Sequence, residues 1–304
     1  VSTVKALAFY NATCLKSVEF PLSLEAVNNS AFYGCTGLTN VAFGDGVVRL
    51  GDSAFYGCSG LRGLTIPDSV ERIGSSAFYG CTNLQQVHLP ENLSSVSSYL
   101  FYNCQNLTEV NIPEGVTVIN SSAFGNCGSL TEIDIPEAVT QIGNYAFSGC
   151  TGLTALVLPE GVTAIGYQAF MNCSGLTEFV IPAGVTEIMF DTFNGCTNLN
   201  AVTCLATNIS AQSATSGWLN GVAATGTLTI AKGMENNWTP NSANGIPSGW
   251  TTDVYGFKVK LADRTADADN WTATVGTSTT AEPLPVGGLS EKDAVTLNYN
   301  GRLK

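Results

Sequence analysis

Ten cysteines and one histidine are the most reactive side chains in this sequence of 304 residues. Eight of the cysteines are spaced 23 residues apart, from Cys35 to Cys196. Such thiols could form disulfides, bind a metal or pack as small apolar side chains in a core. None of the common Cys or Cys/His zinc spacings appears. In-register thiols also point the same way rather than at each other, so core packing is favoured and stacked disulfides are the alternative.

A catalytic cysteine would need a nearby base and some exposure to solvent. The only histidine, His88, lies between Val87 and Leu89. On a strand it would point outward, away from an inward row of thiols. No phosphate-binding glycine loop and no nucleophile elbow is apparent. The sequence therefore predicts no cysteine-based catalytic site and no cofactor.

Acidic side chains are concentrated in one part of the chain. The sequence holds 24 Asp and Glu against 12 Lys and Arg, a formal charge of −12. Residues 1–207 contain 16 of the acidic and 5 of the basic side chains, which gives −11. Residues 73–231 contain no lysine or arginine. Nucleic acids and anionic membranes bind clustered cations, so this balance argues against both as partners.

Two sets of carboxylates could do chemistry. Glu109 and Glu132 are one period apart, and stacking would bring them near the ~5 Å separation used by retaining glycosidases. No long insertion builds a pocket around them, so a carbohydrate-active enzyme is our third-ranked function and we predict a non-enzyme. A second set of carboxylates follows the predicted strands, where neighbouring like charges would repel one another unless solvent or a cation separates them. No calcium-binding signature is present, and we predict no metal site. This acidic column is Asp45, Asp68, Glu91, Glu114, Glu137 and Glu160.

A repeat of 23 residues must position all these side chains. One copy, from Phe124 to Ala146, reads FGNCGSLTEIDIPEAVTQIGNYA. Leucine follows each repeated phenylalanine by six residues, and no insertion or deletion breaks the period. A fixed period of this size predicts a solenoid, with nine copies over residues 1–207. The copies begin at Phe9, Phe32, Phe55, Phe78, Phe101, Phe124, Phe147, Phe170 and Phe193.

The spacing inside one copy predicts its local structure. Ile133 and Ile135 alternate as in a half-buried strand, and Pro136 ends the pairing because it lacks an amide donor. Val139 and Ile142 predict a second short extended piece. The next residues, 146–150, predict a single helical turn. Each coil returns the chain to the start of the next, so the strands should stack in parallel about 4.8 Å apart.

The unit C-x-x-L-x-x-I-x-[IL]-P-x-x-[VL]-x-x-I-x-x-x-A-F resembles the leucine-rich repeat of the BspA-like family, found on bacterial surface and secreted proteins. The resemblance extends over residues 1 to about 207 and departs at the ends. Ala12 replaces the first cysteine of the ladder while Cys14 lies two residues later, and Cys204 and Leu205 replace isoleucine and proline. Atypical terminal repeats are typical of caps. The resemblance implies a right-handed leucine-rich-repeat solenoid with a non-enzymatic adhesion or recognition role.

Two columns of outward residues on the first strand of each repeat form what we call the front face. Repeat proteins commonly bind through such a surface, although an ordinary solvated sheet face is the alternative. The first column is Ser17, Asn40, Gly63, Gln86, Glu109, Glu132, Ala155, Glu178 and Ala201; the second is Glu19, Ala42, Thr65, His88, Asn111, Asp134, Val157, Val180 and Thr203. From these the candidate ligand-binding residues are Glu109, Asn111, Glu132, Asp134, Val157, Glu178 and Val180.

A tyrosine column follows the phenylalanine of the first five repeats. Exposed tyrosines suit protein or carbohydrate contact, because each ring offers rigid apolar area and each hydroxyl a polar group. Packing of the rings between coils is the alternative. The column starts at Tyr10, and its candidate binding residues are Tyr33, Tyr56, Tyr79 and Tyr102.

The period stops after Thr207. Residues 208–252 include three of the four tryptophans and a plausible strand at 226–230, and we expect them to cover the edge of the last coil as a β-rich cap. Residues 253–304 predict a small all-β module, immunoglobulin-like or incomplete, with strands at 255–261, 271–275 and 294–299 and a closing Asn300-Gly301 turn. Such a short segment makes a marginal core on its own.

Location and partners follow mainly from the resemblance. No hydrophobic run approaches the length of a membrane span. The chain begins at Val1 without a signal peptide, as expected of a mature secreted chain. We expect an extracellular or cell-surface monomer that binds an extracellular protein or glycan. A scaffold or stalk without a specific ligand is the alternative.

Overall fold

A computed structural model describes residues 2–209, 217–231, 246–255, 271–273 and 297–299. Among them are twenty short strands and no helix. The strands are β1 (Thr3–Val4), β2 (Ser17–Glu19), β3 (Ala26–Val27), β4 (Asn40–Ala42), β5 (Arg49–Leu50), β6 (Gly63–Thr65), β7 (Arg72–Ile73), β8 (Gln86–His88), β9 (Ser95–Val96), β10 (Glu109–Val110), β11 (Val118–Ile119), β12 (Gln141–Ile142), β13 (Ala164–Ile165), β14 (Glu178–Ile181), β15 (Glu187–Ile188), β16 (Ala201–Cys204), β17 (Thr225–Ala231), β18 (Gly249–Tyr255), β19 (Trp271–Ala273) and β20 (Leu297–Tyr299).

The repeats form the predicted parallel β-solenoid. On the front side, β2 pairs with β4, and β6, β8 and β10 form a second ladder. A second series of strands forms the sheets β1-β3-β5-β7 and β9-β11-β12-β13-β15. Every one of these pairs is parallel, and each residue faces its equivalent one repeat later, as with Gln86 and Glu109. The period of the sequence is therefore the register of the sheets.

The predicted helical turn is instead an irregular turn. Two residues of each repeat have positive φ, and single left-handed residues interrupt a right-handed helix. The first lies two residues before the repeated phenylalanine, as at Tyr145 (φ 56°), and the second two residues after it, as at Gly149 (φ 77°). In all nine repeats the second position is glycine or asparagine, the residues that tolerate this conformation best. These are Asn11, Gly34, Gly57, Gly80, Asn103, Asn126, Gly149, Asn172 and Gly195.

The core is a set of side-chain ladders along the solenoid. The repeated phenylalanines stack on one another with ring centroids 4.9–5.9 Å apart. Except for Phe9 at the first coil, these rings have no exposed surface, and the eight ladder cysteines beside them are equally buried. Each cysteine Sγ donates a hydrogen bond to the carbonyl of the phenylalanine 26 residues earlier, as from Cys104 to Phe78 at 3.2 Å. The thiols thus tie each coil to the previous one.

The front sheet is not continuous. Residues 131–135 and 154–158, in repeats six and seven, form no regular strand, although the sequence pattern predicts one. Where the front ladder is regular, Ile66 N–H donates to the His88 carbonyl at 2.9 Å. One repeat later, Leu89 N–H donates to the Asn111 side chain at 2.7 Å instead. Because this side chain takes the place of a main-chain carbonyl, β10 ends after two residues.

The cap continues the front sheet. Strand β17 pairs in parallel with β16, and β18 lies beyond β17, so the edge left by repeat nine is covered. Asp191, which is 8% exposed, accepts amide hydrogen bonds from Asn194 and from Asn220 of the cap, each at 3.2 Å. Trp250 Nε1 donates to the Ala223 carbonyl at 2.7 Å.

Contacts divide the chain into two units, Val1–Asp253 and Val254–Lys304. In the second unit, β19 and β20 pair antiparallel. They fall within the strands predicted at 271–275 and 294–299, whereas residues 256–261 and the Asn300-Gly301 turn lie outside the described residues. The domain boundary at residue 207 and the immunoglobulin-like character of the module stay predictions.

Candidate binding surface

An open groove of ≈ 610 Å³ lies on the front face over repeats two to five. It spans the place where β4 and β6 adjoin without forming a ladder. Half of its lining residues carry hydrogen-bonding side chains, and the phenyl ring of Phe43 is half-buried beside them. The polar lining is Asn40, Asp45, Thr65, Gln86, His88, Glu109 and Asn111.

Two of the predicted binding residues lie in this groove, and each has a partner within the protein. Glu109 accepts a hydrogen bond from Gln86 Nε2 at 2.9 Å, which holds its carboxylate across the sheet. Asn111 is half-buried and bonds to the main chain of Leu89. Glu109 can therefore offer its remaining lone pairs to a ligand, whereas Asn111 is largely committed to the fold.

Five more predicted residues continue the front face beyond the groove. Glu132, Asp134 and Glu178 are exposed. Val157 is 80% exposed and Val180 is 46% exposed, on neighbouring coils of the same column. The front face therefore changes from a polar groove through an acidic zone to an apolar patch.

The tyrosine column packs against itself. Consecutive rings from Tyr10 to Tyr102 are 4.4–5.0 Å apart and nearly parallel, so their faces are covered and their edges and hydroxyls remain accessible. Burial raises the pKa of Tyr56 to about 12, with smaller contributions from the neighbouring Tyr79 and Tyr33. The Tyr102 ring lies over Gly125, where a Cβ atom would come within 2.7 Å of the ring. A ligand could hydrogen-bond to this row but could not stack on its inner rings.

The sequence does not indicate the whole groove. Thr65, Gln86 and His88 belong to the front columns, but the predicted binding residues of those columns begin only at repeat five. Phe43 stands where most repeats have isoleucine or leucine, and its ring contacts those of Phe20 and Phe55 at 5.5 and 6.0 Å. Phe20, one repeat earlier, is the other aromatic residue at that ladder position, and this pair was the available signal.

A family model described as "BspA type leucine rich repeat region" matches six copies in this chain, over residues 2–130 and 117–217. The chain belongs to the BspA-type leucine-rich-repeat family. Membership confirms the resemblance and, together with the parallel strands, the solenoid fold.

Solved structures similar to this BspA-type chain are bacterial leucine-rich-repeat proteins. A leucine-rich cell-surface protein from Faecalibacterium prausnitzii is 26% identical, with a TM-score of 0.51 and 84% of each chain covered. A leucine-rich repeat protein from Eubacterium ventriosum is 27% identical, also with a TM-score of 0.51. That match covers 58% of this chain and 46% of the other, so this chain spans less than half of that protein. A comparison with curated proteins found no match.

The reactive side chains of this BspA-type solenoid are kept apart. All ten cysteines are free, and nine of them are buried, while Cys14 is exposed. Burial raises the pKa of the Cys104 and Cys150 thiols to about 12, opposed by a backbone hydrogen bond. His88 lies in the groove on the outside, so the only histidine and the ladder thiols do not meet. The described part of the chain has no cluster of three metal-ligating side chains and no helix suited to crossing a membrane.

Proposed function

We propose that this chain is a non-enzymatic binding protein that recognises an extracellular protein or glycan through its front face. The groove over repeats two to five carries the proposal. It combines hydrogen-bonding groups of several kinds with the phenyl ring of Phe43. Specific recognition needs a concave surface of this kind, in which a few polar groups fix orientation.

The groove is better suited to binding than to catalysis. A general acid or base needs an environment that adjusts its pKa and excludes water. Asp45, His88 and Glu109 are exposed at an open surface. The buried thiols donate to main-chain carbonyls, and the one histidine of the sequence lies in the groove on the outside. Recognition by shape and hydrogen bonds requires none of these adjustments.

We place the protein outside the cell or at its surface, as a monomer. Support comes from the relative in Faecalibacterium prausnitzii, which is a cell-surface protein. The acidic repeats would repel nucleic acids and other polyanions, so these are not proposed partners.

A scaffold without a specific ligand is the second candidate. Two observations favour it. The tyrosines stack on one another, and Asn111 bonds within the protein, so groups that could bind a ligand contribute to the solenoid instead.

A screen on an array of extracellular-matrix proteins and glycans separates the two candidates. The binding proposal predicts saturable binding of the full chain to at least one component, competed by that component in solution. The absence of saturable binding to every component would favour the scaffold.

A further inference from the structure

One column of the front face combines a carboxylate with the most exposed apolar side chains of that face. Asp134, Val157 and Val180 follow one another on repeats six, seven and eight. The same three coils pair in register through β12, β13 and β15, so at about 4.8 Å per coil the column from Asp134 to Val180 is about 10 Å long. No ion pair or side-chain hydrogen bond joins Asp134 to another described residue.

This arrangement matches one class of side chain. Lysine and arginine lay an aliphatic stem on apolar surface while the charged head remains in a polar setting. A stem over Val157 and Val180 would bury their methyl groups, and its head would reach the Asp134 carboxylate. A neutral glycan would leave the Asp134 carboxylate without a charged partner, and an anionic partner would be repelled by Asp134 and Glu132.

Charge elsewhere on the solenoid reinforces this preference. Residues 73–231 contain ten carboxylates and neither lysine nor arginine, so no lysine or arginine of this part of the chain competes for Asp134. An acidic surface also raises the encounter rate with a basic partner.

We infer that the Asp134–Val157–Val180 column is a docking site for a lysine- or arginine-bearing segment of a partner protein. The inference rests on the proposed function and names the partner chemistry for one part of the same face.

A labelled ten-residue peptide alternating Gly and Lys, compared with a Gly-Glu peptide, tests the inference by fluorescence anisotropy at about 0.15 M salt, where charges more than about 8 Å apart are screened. The wild-type chain should bind the lysine peptide and not the glutamate peptide. Asp134→Asn should weaken binding about threefold, which is the size of an exposed charge pair. The double variant Val157→Ser/Val180→Ser should weaken it about fivefold through lost apolar burial.

Matched controls lie off the column. Glu114→Gln removes the same charge, and Val48→Ser removes a valine that is 39% exposed and directly precedes β5. Both should change the affinity by less than about 1.5-fold, since distant exposed charges are screened. Equal losses in Asp134→Asn and Glu114→Gln would overturn the inference by showing general electrostatic attraction only. Absence of lysine-peptide binding would also overturn it, yet a saturable ligand from the array would leave the proposed function standing.

Discussion

The Asn111 side chain forms hydrogen bonds with both the main-chain N–H and the main-chain carbonyl of Leu89 in the preceding coil. Its Oδ1 accepts from Leu89 N–H at 2.7 Å, and its Nδ2 donates to the Leu89 carbonyl at 3.3 Å. The side chain thereby imitates the main chain of a neighbouring strand. This relationship ends the regular front ladder at β10 and fixes the floor of the groove beside Glu109.

Replacing Asn111 with alanine should destabilise the solenoid. The Leu89 N–H is removed from water and would lose its partner, which costs about 1–3 kcal/mol. Urea unfolding should show a lower midpoint with an unchanged slope. Asn83→Ala is the matched control, because its amide is exposed to solvent while it donates to the Ser59 carbonyl at 2.7 Å and accepts from Asn106 Nδ2 at 3.4 Å. A loss in Asn111→Ala no greater than in Asn83→Ala would contradict the structural role of Asn111.

Substitutions of Gly80 would measure the energetic cost of the left-handed backbone conformation two residues after each repeated phenylalanine. Gly80 has φ +69°, and only the Gly57 Cα would lie near an added Cβ, at 3.8 Å. Gly80→Ala should therefore lower stability by about 1 kcal/mol through backbone conformation alone. Gly80→Asn should be nearly neutral, since Asn103, Asn126 and Asn172 hold the same position. Similar melting temperatures for the Ala and Asn variants would show that the conformation costs nothing there.

The sequence predicts the solenoid well because its core is periodic. Phenylalanine, leucine and the strand aliphatics recur in phase, so their burial and the register of the sheets follow from the period alone. The outward direction of Val180 follows from the alternation along β14, and Val157 is exposed as the repeat predicts although residues 154–158 form no regular strand. The cysteines, read as core thiols, are also buried.

Other features depend on contacts that periodicity does not specify. The spacing of Ala146, Phe147 and Cys150 predicts a helical turn, whereas glycine or asparagine two residues after each phenylalanine indicates the left-handed residue that the structure contains. The fold of the Asn111 amide onto Leu89 depends on a single side-chain rotamer. The groove depends on the interrupted pairing of β4 and β6, which the uniform repeat pattern of the sequence does not indicate.

Thiol reactivity should separate Cys14 from the other nine cysteines. At pH 8, a disulfide reagent should modify about one thiol per native chain and all ten after denaturation in the absence of reductant. Burial raises the pKa of Cys104 from the ordinary value of 9.0 to about 12, so native thiolate is scarce at pH 8. The free energy of unfolding contributed by keeping the Cys104 thiol protonated is fully present below about pH 9 and is lost as the pH rises towards 12. Cys14→Ser should abolish the native reaction; fast modification of several native thiols, or fewer than ten after denaturation, would contradict the free, buried ladder.

The most direct test of the binding account is to fill the groove and measure affinity for the strongest ligand from the array. Thr65→Lys/His88→Lys places two long side chains on exposed groove positions without touching the core. Thr36→Lys/Thr197→Lys adds the same two lysines at exposed turn positions elsewhere and is the control. The account predicts at least about a tenfold loss of affinity in the groove variant, a loss of about 1.4 kcal/mol, with the control and both circular-dichroism spectra unchanged. Equal affinity of the wild type and the groove variant would contradict it.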